Sequence, residues 1–290
     1  MQYLWLALAL FYAIMHATVS VIDKKIISTK NIDPLALSAI RFGVNSITSA
    51  IILLLFITPT YNGLNTNILL LSTFYFLAAI TYFYAIKIED VSKIIPYRDA
   101  IVTKLSFILA IIILKETTTL TNIFGILAIV FGGYIVWTDG KIIKPKFTKG
   151  LVLIGISAVC LALYGIIAKI SLITISPYLL SFFMYTLITA YMITTNLIFN
   201  KKKLNETRKI ITTNKKLILL ILLASITAVT GVTALFFALS IENASKVLPI
   251  AGTLPLFAAI MGKKFLNESH GKERIIGAAI IITGIFLLYI

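Results

Sequence analysis

Apolar residues run through this chain in blocks of roughly 20, each closed by a short polar or turn-forming stretch. A helix rising about 1.5 Å per residue needs roughly 20 such residues to cross the hydrocarbon core of a bilayer. Blocks of that length predict ten membrane-spanning helices, at 3–22, 34–57, 67–86, 92–114, 120–138, 150–168, 177–199, 216–239, 247–266 and 274–290. Asp33-Pro34, Asn62-Gly63, Asp139-Gly140, Ser176-Pro177 and the basic stretch 200–216 separate them. The first block has no basic leader and no small-residue cleavage site, so it reads as a retained helix. No loop is long enough for a soluble domain. The expected class is all-α and integral to the membrane.

Composition agrees. Of 290 residues, 59% are hydrophobic and 13% charged, whereas a soluble domain is about half apolar and a quarter charged. A net charge of +15 would point to nucleic acid in a soluble protein. Here the basic residues sit in short loops between apolar blocks, so a nucleic-acid role is not expected. Taken alternately, the loops carry 20 lysines and arginines on one side and only Lys115, Lys169 and Lys246 on the other. The basic side should be cytoplasmic, which places both termini outside. A compact chain of this kind fits a prokaryotic plasma or inner membrane, as a monomer or homodimer. Cys160 is the lone cysteine, and His16 and His270 are far apart. That excludes a disulfide framework and metal-ligand spacing, and no cofactor is expected.

The chain repeats itself. Residues 85–96 read AIKIEDVSKIIP and 238–249 read ALSIENASKVLP, with six of twelve positions identical. Downstream, Glu116 matches Glu268, Gly125 matches Gly277 and Gly132 matches Gly284. Five blocks separate each matched pair, and five is odd, so the halves 1–140 and 150–290 should insert with opposite orientation. These features resemble the EamA family of ten-span carriers in the drug/metabolite transporter superfamily. The resemblance rests on Ser92-Lys93-Ile94-Ile95-Pro96 and Ser245-Lys246-Val247-Leu248-Pro249, on Glu116 and Glu268, on the four glycines, and on Arg41. It implies two inverted five-helix repeats and export or exchange of small metabolites, without naming one. Two departures stand out. Met184 occupies the position matching Arg41, so the site should be charge-asymmetric. Loop 58–66 has no basic residue, while its counterpart 200–216 has seven.

Charge inside an apolar block is costly, and each instance is a candidate site. On the fourth block Lys93, Tyr97 and Lys104 share a face at about 100° per residue. Ser38, Arg41, Asn45 and Thr48 form a stripe on the second block, Ser181, Tyr185, Thr189 and Asn196 on the seventh, and Tyr12, His16, Ser20 and Asp23 on the first. Such stripes either converge on a central cavity or bond helix to helix. The expected substrate-binding set is Arg41, Asn45, Lys93, Tyr97, Lys104, Tyr185 and Lys246. Lys93 and Lys246, as repeat mates, suit a carboxylate or phosphate, or else pair with Glu89 and Glu242 one turn earlier. Asp99 is a candidate proton-coupling group, with a salt bridge to Arg98, Arg41 or Lys104 as the plainer alternative. Sequons at Asn205 and Asn267 fall on the cytoplasmic side and should stay unmodified.

A secondary carrier of a small polar metabolite, amino acid or organic or phosphorylated anion, working by alternating access, fits these features best. There is no GxxxxGK[ST] loop for ATP. A flippase for an amphipathic or lipid-linked substrate is the nearest alternative. An intramembrane enzyme would want clustered Asp, His or Glu, and a channel a filter loop or charge ring.

Overall fold

The computed structural model of the protein describes residues 3–56, 65–89, 91–138, 148–266 and 272–289. Among these residues the fold is all-α. The first half contributes α1 (Leu4–Ile27), α2 (Pro34–Phe56), α3 (Thr66–Ile88), α4 (Val91–Leu114) and α5 (Leu120–Thr138). The second contributes α6 (Lys149–Ser171), α7 (Pro177–Phe199), α8 (Lys201–Thr213), α9 (Lys215–Ile241), α10 (Ala244–Ala251), α11 (Leu254–Leu266) and α12 (Lys272–Tyr289). Six of them, α1, α2, α3, α6, α7 and α9, are long and apolar enough to cross a membrane. Large apolar side chains such as Leu54, Leu55, Phe124 and Phe199 are exposed on the outer surface, as expected of helices solvated by lipid.

Two elements differ from the sequence expectation. The basic stretch 200–216 is largely helical. In α8, Leu204, Thr207 and Ile211 recur at helical spacing and turn toward the bundle, while Lys201, Lys202 and Lys203 are exposed. The side chain of Asn214 then starts α9 by accepting from the amides of Lys216 and Leu217. The block 247–266 is two helices, α10 and α11, parted at Gly252 and Thr253. Pro249 and Pro255 have no N–H to give the helical ladder, which explains the break.

Helices of one half pack on helices of the other: α1 on α9, α3 on α6, α2 on α7 and α5 on α12. The α5–α12 crossing is backbone against backbone. A Cβ on Gly132 would lie 2.6 Å from the Gly277 carbonyl, and one on Gly284 would lie 2.6 Å from the Gly125 carbonyl. The four repeat-matched glycines therefore serve close packing. Another matched device closes the helix ends. Lys24 Nζ donates to the carbonyls of Ile86 and Glu89, both at 2.9 Å. Lys169 Nζ donates to those of Leu239 and Glu242, at 2.6 and 2.8 Å. Each cation meets the unpaired carbonyls at a helix C-terminus, where the dipole favours positive charge. Ile86 and Glu89 match Leu239 and Glu242 in the repeat, so both halves end a helix in the same way.

Candidate functional site

A cavity of about 70 Å³ lies among α1, α2, α3, α4, α6 and α9. Its volume has room for about five waters, at the rough 10–15 Å³ each requires. The first-block stripe supplies one wall: Tyr12, His16, Ser20 and Asp23 all line it. Arg41, Phe42 and Asn45 come from α2, Tyr75 and Tyr82 from α3, and Arg98 from α4. Among the described residues, the second half adds only Ser157, Leu161 and Ala228 to a lining of 17.

Two buried arginines dominate the site, and they differ in what they have left to offer. Arg41 is 2% exposed. Its Nε donates to Asp23 Oδ1 at 3.1 Å, Nη1 to Ser225 Oγ at 2.8 Å and to Asn45 Oδ1, and Nη2 to the Ala224 carbonyl at 2.8 Å. Every nitrogen is engaged, which is what a charge needs in order to persist in a low-dielectric interior. Arg41 thus clamps α2 to α1 and α9.

Arg98 is 8% exposed, with Nε 2.9 Å from Asp99 Oδ1 and its guanidinium 5.4 Å from the centre of the Tyr82 ring. Among the described residues its Nη1 and Nη2 have no hydrogen bond. The same holds for Tyr82 Oη and His16 Nε2, which are fully buried beside the cavity. Leaving such a group unmet costs about 1–3 kcal/mol, more for a charged one. The guanidinium nitrogens are donors only, so unmet polar groups gathered around one cavity are a demand for a partner that can accept. Aromatic surface encloses them: Tyr12 packs 4.3 Å from His16, and Tyr75 4.8 Å from Tyr164, measured between ring centres. A planar fork with two free nitrogens matches a carboxylate or phosphate, and the rings suit an apolar or planar remainder.

The residues expected to bind substrate do not all gather here. Arg41 and Asn45 line the cavity, bonded to each other. Tyr185 is buried behind it, its hydroxyl donating to the Ala228 carbonyl at 3.3 Å. Tyr97 is half-buried and outside the lining. Lys104 is exposed, because it lies six residues from Arg98, which at about 100° per residue turns it some 120° away. The side chain of Lys93 lies outside the described residues, as do Glu268, His270 and the Asn267 sequon. Lys246 is half-buried near the start of α10, away from the lining. Among the described residues no ion pair joins it to Glu242, whose Oε1 instead accepts from the Asn243 amide at 2.9 Å. Glu89 Oε1 accepts from Thr148 Oγ1 at 2.7 Å. Asp99 is buried and paired with Arg98, as the plainer alternative had it. The seventh-block stripe bonds helices together: Thr189 donates to the Phe42 carbonyl, Asn196 to that of Leu35, and Ser181 accepts from Thr233.

Arg98, Tyr75 and Tyr82 were missing from the expected set. Arg98 was visible as a charge inside an apolar block, but its proximity to Asp99 cast it only as a partner. The tyrosines carried no signal apart from being polar-tipped residues on an apolar helix.

A family model for the EamA-like transporter family matches residues 3–138 and again residues 148–290. No curated protein matches the chain. Among solved structures, one titled only "Crystal structure of protein" is 13% identical, with 96% of this chain and 94% of that chain covered and a TM-score of 0.75. That likeness shows a shared fold. With a family match across both halves, the chain belongs to the EamA-like transporter family and is a multi-pass membrane transporter of the drug/metabolite transporter superfamily.

Proposed function

We propose that this protein is a secondary carrier for a small anionic metabolite, with Arg98 as the group that reads the anion. The supporting observation is a nine-tenths buried guanidinium with two nitrogens unengaged among the described residues, facing a cavity walled by tyrosines. Tyr12, His16, Tyr75 and Tyr82 orient the remainder of the substrate. Arg41 and Asn45 hold the wall in place, and Lys93 and Lys246 attract the anion on its approach.

In this reading the chain makes ten spans as two inverted repeats, α1–α5 and α6–α12, with α8 on the membrane surface and α10–α11 together forming one span. Both termini are external and the membrane is a prokaryotic plasma or inner membrane. A cavity of about 70 Å³ is smaller than the roughly 300 Å³ at which ligand pockets begin. Loading therefore requires helices to part, as alternating access supplies. The two lysine caps support that scheme, since they tie equivalent helix ends in the two halves.

The experiment is uptake into proteoliposomes, with amino acids, organic acids and phosphorylated sugars offered in turn. Arg98→Lys keeps the charge but loses the fork, and should lower the apparent affinity for an anionic substrate by about tenfold, the cost of one charged hydrogen bond. Neutral substrates carried equally well by Arg98→Ala would sink the reading.

A flippase for an amphipathic substrate is the second reading. Lys104 favours it, because a cation exposed halfway along an apolar helix marks a lateral path for a charged headgroup.

A further inference from the structure

Behind Arg98, one face of α4 carries Asp99, Thr103 and Ser106. At about 100° per residue the three fall within about 60° of arc. They are 5%, 0% and 0% exposed. Asp99 Oδ2, Thr103 Oγ1 and Ser106 Oγ are all without a hydrogen-bond partner among the described residues. Many helical hydroxyls in this protein bond back to the carbonyl four residues earlier, as those of Thr18, Thr48, Thr189 and Thr227 do. This row does not, although it is fully enclosed.

The row faces the break between α10 and α11. A Cβ on Gly252 would collide with Thr103 Oγ1, and would lie 3.1 Å from the Pro249 carbonyl. The Thr103 hydroxyl therefore rests on bare backbone at the break. The Pro249 carbonyl is released from the helical ladder there, because the Thr253 amide turns back to Ile250 at 3.0 Å. A hydroxyl and a freed carbonyl thus meet at the break, with the Asp99 carboxylate one turn before Thr103 on the same face of α4 and a second hydroxyl about one turn after it.

We propose that this is a sodium site, held by Asp99, Thr103 and the Pro249 carbonyl, with Ser106 lining its approach. The donors are all oxygen, and their one carboxylate is shared with Arg98, which suits a hard monovalent cation rather than a divalent ion or a transition metal. Carbonyls released at a broken helix are a general means of holding sodium within a carrier. A proton would need only the carboxylate and would leave the two hydroxyls unmet.

The site is also wired to the anion. Arg98 holds Asp99 Oδ1 through Nε, so an anion taking the two Nη nitrogens weakens the claim of Arg98 on Asp99. Sodium and anion then strengthen one another's binding, and by linkage equally. This coupling rests on the anion-carrier reading; sodium binding by itself does not.

The test is the unfolding midpoint of the purified protein in detergent, with sodium chloride titrated against choline chloride at constant ionic strength and no substrate present. The parent should show a saturable rise specific to sodium. Thr103→Val, which keeps shape and removes the hydroxyl, should raise the half-maximal sodium concentration by about tenfold. Asp99→Asn should abolish the response. Equal midpoints in the two salts, or a sodium response that survives Thr103→Val unchanged, would overturn the site. A response to acidification alone would assign a proton and overturn it too. A sodium response in a protein that carries no anion would leave the site standing and remove the carrier reading.

Discussion

The carboxylate of Glu116, just beyond the end of α4, accepts the first two amides of α10: Ala244 N at 2.9 Å from Oε1 and Ser245 N at 2.8 Å from Oε2. One side chain thus does for α10 what a cap normally does from within the same helix, and it does so from the other half of the chain. A negative charge there also meets the positive end of the helix dipole. Glu116→Ala should lower stability by about 1–2 kcal/mol, the range for a lost cap, seen as a lower unfolding midpoint in detergent. Glu116→Gln should fall between the two. No change in either variant would show that the contact carries nothing.

The glycine crossing contains its own control. A Cβ on Gly132 would lie 2.6 Å from the Gly277 carbonyl and 2.7 Å from Ile281, whereas one on the adjacent Gly133 would meet nothing within 4 Å. Gly132→Ala should destabilise by about 1–3 kcal/mol through overpacking. Gly133→Ala should be neutral or gain up to about 1 kcal/mol from helix propensity. Parallel melting curves test the pair, and the reverse ranking would mean that α5 and α12 do not pack as described.

Asp23 and Arg41 form a buried pair, each side chain 3% exposed. Asp23→Asn removes one charge and strands the other, at a cost of about 3–5 kcal/mol. The double change Asp23→Leu with Arg41→Met should recover most of that stability, since apolar replacements of a buried pair are often neutral. If the double variant melts no higher than Asp23→Asn, the bonds to Asn45, Ser225 and Ala224 outweigh the ion pair.

Lys24 and Lys169 hold equivalent helix ends in the two halves. In the alternating-access reading, Lys24→Met and Lys169→Met should therefore bias the protein toward opposite sides. An introduced Ser157→Cys in a Cys160→Ala background would report this through labelling by a membrane-impermeant thiol reagent added to one side. The two variants should shift the labelling rate in opposite directions, and a shift of the same sign in both would refute the idea.

The sequence made the helices legible because lipid imposes one demand on every span, a long apolar run, and because the repeat displays its matched residues openly. Gly125, Gly132, Gly277 and Gly284 could be assigned to packing for that reason, and the stripe from Tyr12 to Asp23 could be aimed at a cavity. The break at Gly252 was less legible. Pro249 and Pro255 each remove a helical donor, but an apolar run reads alike whether its helix is whole or parted. The choice among buried charges was the least legible. Arg41 and Arg98 are each an arginine within an apolar block, and only the tertiary partners of Arg41 show that its nitrogens are already taken. Lys104 shows the converse: sharing a face with Lys93 and Tyr97 does not say which way that face turns.

Among the described residues, fourteen of the 17 around the cavity come from the first half. In the anion-carrier reading the two copies of the repeat therefore divide the labour, one holding cargo and the other serving mainly as the body it moves against. A chimera that joins residues 1–138 to the second half of another family member should keep the cargo preference of its N-terminal parent.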